Sequence, residues 1–445
     1  MTVKDYAGYS VSGANAAGVE AFEQASHEFR CYINDPVASV DRALAAAPGM
    51  VMAHILKAWL HLMGTEPAGL PVARACHQAT TALSANERER GHLQAIRLLT
   101  EGLWRDAGRV LEDVSAAYPR DALALHVGHL IDFFTGDSRM LRDRIARALS
   151  EWSSGMPGYH ALLGMYAFGL EETGDYVQAE RVGRRSVELE PRDGWGQHAV
   201  AHVMEMQNRA RDGIAWMRAD PHAWSRDSSF AIHNWWHVAM FHLEVGDIDE
   251  VLRLYDGPIF GKSSGFILEM IDASALLWRL RLRGIDVGNR WEALADRWAP
   301  VATDSNYAFN DVHAMMAFVG ADRPKARQAV IHSLKEAMTG SGDNVQFTRE
   351  VGYGAALAIQ AFGDGNYAEC VRLLRPIRSY AHRFGGSHAQ RDLLDLTMIE
   401  GALRGGNHAF GEALANERKA IRPNSPLSGL FAARAKALQY TAAAA

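Results

Sequence analysis

Apolar residues recur along this chain every three or four positions, the beat of amphipathic helices. The clearest stretch runs from His160 to Pro191. There the helical spacing holds up to Leu170, Gly174-Asp175-Tyr176 interrupts it, and a second helix follows with Ala179 near its start and Pro191 after its end. Two helices that touch need small residues at the contact, and the reversal between them needs a residue that accepts positive φ. The same break recurs at Gly64, Gly102, Gly136, Gly174, Asn208, Gly246, Gly284, Gly320, Gly365 and Gly406, at intervals of 34 to 45 residues. Strings such as GDYVQA, GDIDEV and GNYAEC begin at these breaks. No alternating apolar run bounded by hairpin signals appears, so strands have no foothold.

Gly174, Tyr176, Ala179 and Pro191 match the turn and second half of a tetratricopeptide repeat, whose usual period is about 34 residues. The pattern predicts an all-α protein, a superhelical array (α-solenoid) of about ten tetratricopeptide-like hairpins. It predicts a single repeat domain over 1–445, with 1–35 as an N-terminal cap, 36–430 as hairpins and 431–445 as a helix end and frayed tail. The glycine-rich stretches 255–270 and 338–347 read as mobile connections that could fold over a groove.

In such an array the first helix of each hairpin lines a concave groove, and residues three or four apart share its inner face. In the hairpin turning at Asn208 that stripe is Trp195, His198, His202 and Glu205; in the next it includes His233 and Trp236, with His237 beside them. His198 and His202 have the i, i+4 spacing that lets two imidazoles share one ion, and Glu205 lies a turn further on. These three are the candidate ligands for a divalent metal such as zinc. With His233 they are also candidate catalytic groups. A metal-free ligand site and simple packing of the stripe are the competing readings. Candidate ligand contacts are Trp195, Trp236, His237, Asn310, Asp311, His313, Arg349 and Glu350, while His126 and His129 read as packing residues.

Composition narrows the partners. Hydrophobic residues make up 48% and charged residues 22%, an ordinary globular balance that argues against disorder. The net charge of −6, without blocks of like sign, gives no reason to expect nucleic acid or an anionic membrane. No run approaches the ~18 apolar residues of a membrane span, and MTVKDYAGYSVSG lacks the pattern of a secretory signal. Cys31, Cys76 and Cys370 are scattered, which suits buried thiols better than a disulfide framework or zinc knuckle. A cytoplasmic location fits these features. GPIFGKSS at 257–264 falls one residue short of a phosphate loop and follows no strand, and no GxSxG is present.

Several strings resemble those of the tetratricopeptide repeat protein 38 family: HAVAHVMEM at 198–206, HNWWHVAMFHLEVGD at 233–247, YDGPI at 255–259, DASALLWRLRLRG at 272–284, FNDVHAMMAF at 309–318, GGSHAQRD at 385–392 and ER at 417–418. They run in the family's order over roughly the last two-thirds of the chain. The resemblance implies one array of helical hairpins and no established reaction. Its signature residues include His198, His202, Glu205, His233, Trp236, His237, Asp311 and His313.

The sequence thus predicts a protein that binds a small molecule or short peptide in a groove lined by a His/Trp/Glu cluster. One alternative is a hydrolase or lyase, metal-dependent or not, using His198, His202, Glu205 and His233. A second alternative is a protein-interaction scaffold.

Overall fold

The structure is a computed structural model and describes residues 3–443. Among the described residues there is no strand, only the isolated bridges Lys4–Ser10 and Ile33–Ser228. Successive helices pair as hairpins: α1 (Ala16–Cys31) with α2 (Pro36–Ala46), α3 (Val51–Leu62) with α4 (Gly69–Thr80), and α5 (Glu87–Thr100) with α6 (Trp104–Ala117). α7 (Ala122–Thr135) pairs with α8 (Ser138–Ala148), and α9 (Tyr159–Glu172) with α10 (Tyr176–Leu189). Then follow α11 (Gly194–Met206), α12 (Ala210–Arg218), the short α13 (Pro221–Ser225), α14 (Ala231–Val245) and α15 (Ile248–Leu254). The chain continues through α16 (Ile267–Leu282), α17 (Arg290–Trp298), α18 (Ala308–Gly320), α19 (Pro324–Ala337) and the short α20 (Asp343–Phe347). It ends with α21 (Tyr353–Gly363), α22 (Tyr367–Ile377), α23 (His388–Arg404), α24 (His408–Ile421) and α25 (Pro426–Ala443). This is the expected all-α array of tetratricopeptide-like hairpins.

The turns explain the hairpins. Eight of the ten expected turn residues have positive φ, Gly174 at 87° and Asn208 at 58° among them. At the other two the left-handed residue is Thr65 rather than Gly64, and Asp322 rather than Gly320. The residue after the turn often caps the next helix: Asp137 accepts from the Met140 amide and Asp175 from the Gln178 amide. One dipeptide therefore ends the first helix and starts the second. Close helix contact then selects small residues. A Cβ on Gly183 would come within 2.7 Å of Val200.

The chain packs as two compact units, 1–203 with 220–234, and 204–219 with 235–445. The division falls within α11 and α14, so each of these helices contributes to both units. In the first unit, α9 buries eleven of its fourteen residues and its partner α10 only four. In the second, α18 buries twelve of thirteen and α19 three of fourteen. The first helix of a hairpin is thus the inner one in both units, and the second shows one apolar face to it.

Residues 1–35 do more than cap the array. α1 forms a hairpin with α2, and the residues after it pair with a segment nearly two hundred positions away. The Asn34 amide donates to the Asp227 carbonyl at 2.7 Å, and the Ser229 amide to the Tyr32 carbonyl at 2.8 Å. The Tyr32 ring lies 5.8 Å from Trp195 and 5.0 Å from Phe230. The glycine-rich stretches are also more ordered than their composition suggests. Residues 255–259 form a π-helical turn with Tyr255 and Ile259 buried, α16 begins at Ile267, and α20 occupies 343–347. Asn344 pins the second stretch, accepting from the Ala308 amide and donating to the Ser305 carbonyl.

Candidate functional site

Three histidines meet in the first unit. His198 and His202 stand one turn apart on α11, with ring centroids 4.3 Å apart. His233, near the start of α14, brings its Nε2 to 3.1 Å from Nε2 of His198. One ligand nitrogen from each of the three lies within 4.8 Å of the others. Phe168 packs 5.3 Å from the His198 ring and 5.2 Å from the His202 ring, Trp195 lies 5.0 Å from His198, and Phe230 5.2 Å from His198. His198 is 2% exposed and His202 0%. These groups were expected along an open groove. His198 and His202 are instead enclosed among aromatic rings, because α11 is buried along most of its length, whereas His233 on α14 is only partly buried.

The carboxylate that joins this cluster comes from the preceding hairpin. Glu171 Oε2 lies 3.7 Å from Nδ1 of His202, and Glu171, Glu172 and His202 offer atoms within 4.8 Å of one another. Both glutamates are buried at the end of α9. Glu205, expected to follow His198 and His202 as third ligand, belongs to the second unit, where its Oε2 pairs with His237 Nδ1 at 3.2 Å.

That pair borders a different setting. Glu205 lines a pocket with Arg279, Asp392, Arg418, Arg422 and Glu244. Trp236 is fully buried and carries the Arg279 guanidinium 5.4 Å from its ring centroid. Burial pulls Arg279 down to about 10, with Asp392 and Glu205 opposing it. Burial would raise Asp392, yet Arg418 and Arg422 outweigh it and hold that carboxyl low.

The remaining candidates are apart from both places in sequence and role. On α18, Asn310, Asp311 and His313 are all buried. Burial, aided by Asp304, pushes Asp311 up to about 8, so it is a neutral acid at pH 7, with one carboxyl oxygen buried without a hydrogen-bond partner. Burial takes His313 down to about 4, while its Nδ1–H donates to the Phe309 carbonyl at 2.8 Å. Arg349 donates to the Met338 carbonyl and Glu350 pairs with Arg383 near the surface, so these two brace local structure. His126 and His129 are buried and taken down to about 3, chiefly by burial, which makes them neutral packing imidazoles.

No family model matches the chain. Among solved structures it is similar to yeast Tom70, at 13% identity over 91% of this chain and 85% of that one, with a TM-score of 0.33. It is also similar to Naa15/Naa10 bound to HypK-THB, at 12% identity over 94% of this chain and 66% of that one, with a TM-score of 0.26. Likenesses this distant carry no functional argument. The class defined by the fold itself is a helical-repeat protein built of tetratricopeptide-like hairpins.

Proposed function

We propose that this is a ligand-binding helical-repeat protein whose site is built on a divalent transition-metal ion held by His198, His202 and His233. The carrying observation is the 3.1 Å approach of the His198 and His233 Nε2 atoms, with His202 4.3 Å from His198 between ring centroids. Two imidazoles on one tetrahedral zinc, at Zn–N about 2.0–2.1 Å, hold their nitrogens about 3.3 Å apart. Burial also favours an ion over an organic molecule against His198 and His202. Their rings leave almost no surface for a water-sized contact, whereas an ion needs only the space between nitrogens. Glu171 Oε2, 3.7 Å from the His202 Nδ1, is beyond hydrogen-bond distance but sets a buried carboxylate beside that ring, where a carboxylate's negative charge favours a bound cation. His233 is only partly buried, so a small organic molecule or short peptide would reach the ion from its side.

Membership of the tetratricopeptide repeat protein 38 family is part of this reading and rests on the shared strings alone. A second reading keeps the metal out. The Glu205–His237 pair, beside a pocket lined by Arg279 and Arg418, supports capture of a small anion or a peptide carboxylate there. Elemental analysis of the purified full chain separates the two. Loss of one bound ion per chain in His198→Ala and in His202→Ala supports the first reading; a metal content unchanged by either substitution removes it.

A further inference from the structure

A separate cluster in the first unit joins three segments that the proposed three-histidine site does not use. His27 and Cys31 stand one turn apart on α1, with the Cys31 Sγ 3.9 Å from the His27 Nδ1. His160, on the first turn of α9, completes the group. One ligand atom from each of the three lies within 4.8 Å of the others. A thiolate and an imidazole on one tetrahedral zinc sit about 3.5 Å apart, given Zn–S of about 2.3 Å and Zn–N of about 2.0–2.1 Å.

A second observation points independently to a ligand. The Nδ1–H of His160 donates to Asp193 Oδ2 at 2.8 Å, which leaves Nε2 as the free lone pair. Asp193 is itself fixed: it is 0% exposed, accepts from Ser186 Oγ at 2.9 Å, and accepts from the Gly196 amide at 2.9 Å at the start of α11. A buried carboxylate that sets the tautomer of an imidazole is the usual outer shell of a metal-bound histidine. His27 and His160 also line an open groove with Gln24, Tyr159 and Glu190, which provides an entry path and room for an outer ligand.

We propose that His27, Cys31 and His160 bind a zinc-class divalent ion, oriented by Asp193, with its fourth position facing this groove. A borderline-soft ion suits one sulfur and two nitrogen donors, whereas calcium or magnesium would want oxygen. On binding, the Cys31 thiol gives its proton to solvent and the sulfur lone pair goes to the ion. Charges of both signs surround the site, Asp193 and Glu190 against Arg30 and Arg192.

The same residues also spell a cysteine–histidine–aspartate relay. Burial decides against it, because Cys31 is 0% exposed and no substrate carbon reaches its sulfur.

Cobalt(II) tests the site, since a thiolate ligand gives it an intense near-ultraviolet charge-transfer band that an all-histidine site lacks. The chelator-treated full chain, titrated with cobalt(II) alone, should develop that band. Cys31→Ser should lose it, His202→Ala should keep it, and Asp193→Asn should weaken cobalt binding by about 10- to 100-fold. His27→Gln, which leaves the buried thiol in place, should weaken it by at least about tenfold and guards against a Cys31→Ser variant that does not fold. Absence of the band in the folded wild-type chain would overturn the proposal. So would a band that survives in Cys31→Ser, or an affinity unchanged in His27→Gln.

Discussion

The two histidine clusters of the first unit use the same side chain in opposite settings. Around His198, His202 and His233 the donors are all nitrogen, and the walls are Phe168, Trp195 and Phe230. Around His27, Cys31 and His160 one donor is sulfur, a buried carboxylate stands behind, and an open groove lies in front. The first setting strengthens electrostatic interactions by excluding water. The second sets a tautomer by hydrogen bonding and leaves a face accessible. His126 and His129 show a third outcome in the same unit: without carboxylate support, burial leaves them neutral and merely packed. What a histidine does here follows from the group behind it and the space in front of it.

The largest expected effect separates the clusters outright. His202→Ala should remove the ion of the three-histidine site and leave the thiolate-bound one, while Cys31→Ser should do the reverse. The double variant should carry none, as read by elemental analysis. Because His202 is 0% exposed, its loss should also cost about 1–3 kcal/mol in denaturant melts. Equal metal loss in both single variants would collapse the comparison into one site.

Acid comes next. His126 and His129 have folded pKa values of about 3, below their ordinary 6.5. The unfolded chain therefore takes up their protons first as pH falls. Their contribution is complete above pH 6.5 and declines steadily toward pH 3, by on the order of several kcal/mol. Thermal melts of the metal-free chain should show this fall, and replacing both residues with leucine should flatten it.

Asp311 should tilt the other way. Its folded pKa of about 8 lies above the ordinary 3.8, so its contribution is complete below pH 4 and is lost as pH rises through 8. Asp311→Asn should be more stable than the parent at pH 8, by on the order of 1–3 kcal/mol, and indistinguishable or weaker at pH 4. A parent whose stability is flat from pH 4 to 8 would mean that this carboxyl is ionised after all.

The smallest effect sharpens the account of support. Glu171→Gln should weaken metal binding at the three-histidine site by about tenfold without abolishing it, measured by competition with a chromophoric chelator. No change would leave Glu171 a packing residue.

Much of this was legible along the chain, for local reasons. Helical periodicity and left-handed turn residues act over a few positions, so the hairpins could be counted before any packing was known. The frame slipped only where Thr65 and Asp322 took the left-handed position beside a glycine that looked better suited. The glycine-rich stretches misled for a similar reason. Composition suggested loops, but tertiary contacts such as those of Asn344 hold part of each in helical turns.

The pairing of His198 with His202 was legible because i and i+4 share a helix face whatever surrounds it. The sequence by itself therefore determined the helical class, the hairpin repeat and this one stripe. Tertiary structure decided the rest: that Glu171 from the preceding hairpin and not Glu205 meets His202, that Glu205 pairs with His237, and that His27, Cys31, His160 and Asp193 converge from three segments. Such meetings depend on how each helix is rotated and set against its neighbours. Close-packed side chains fix that rotation collectively, and no short window of sequence contains it.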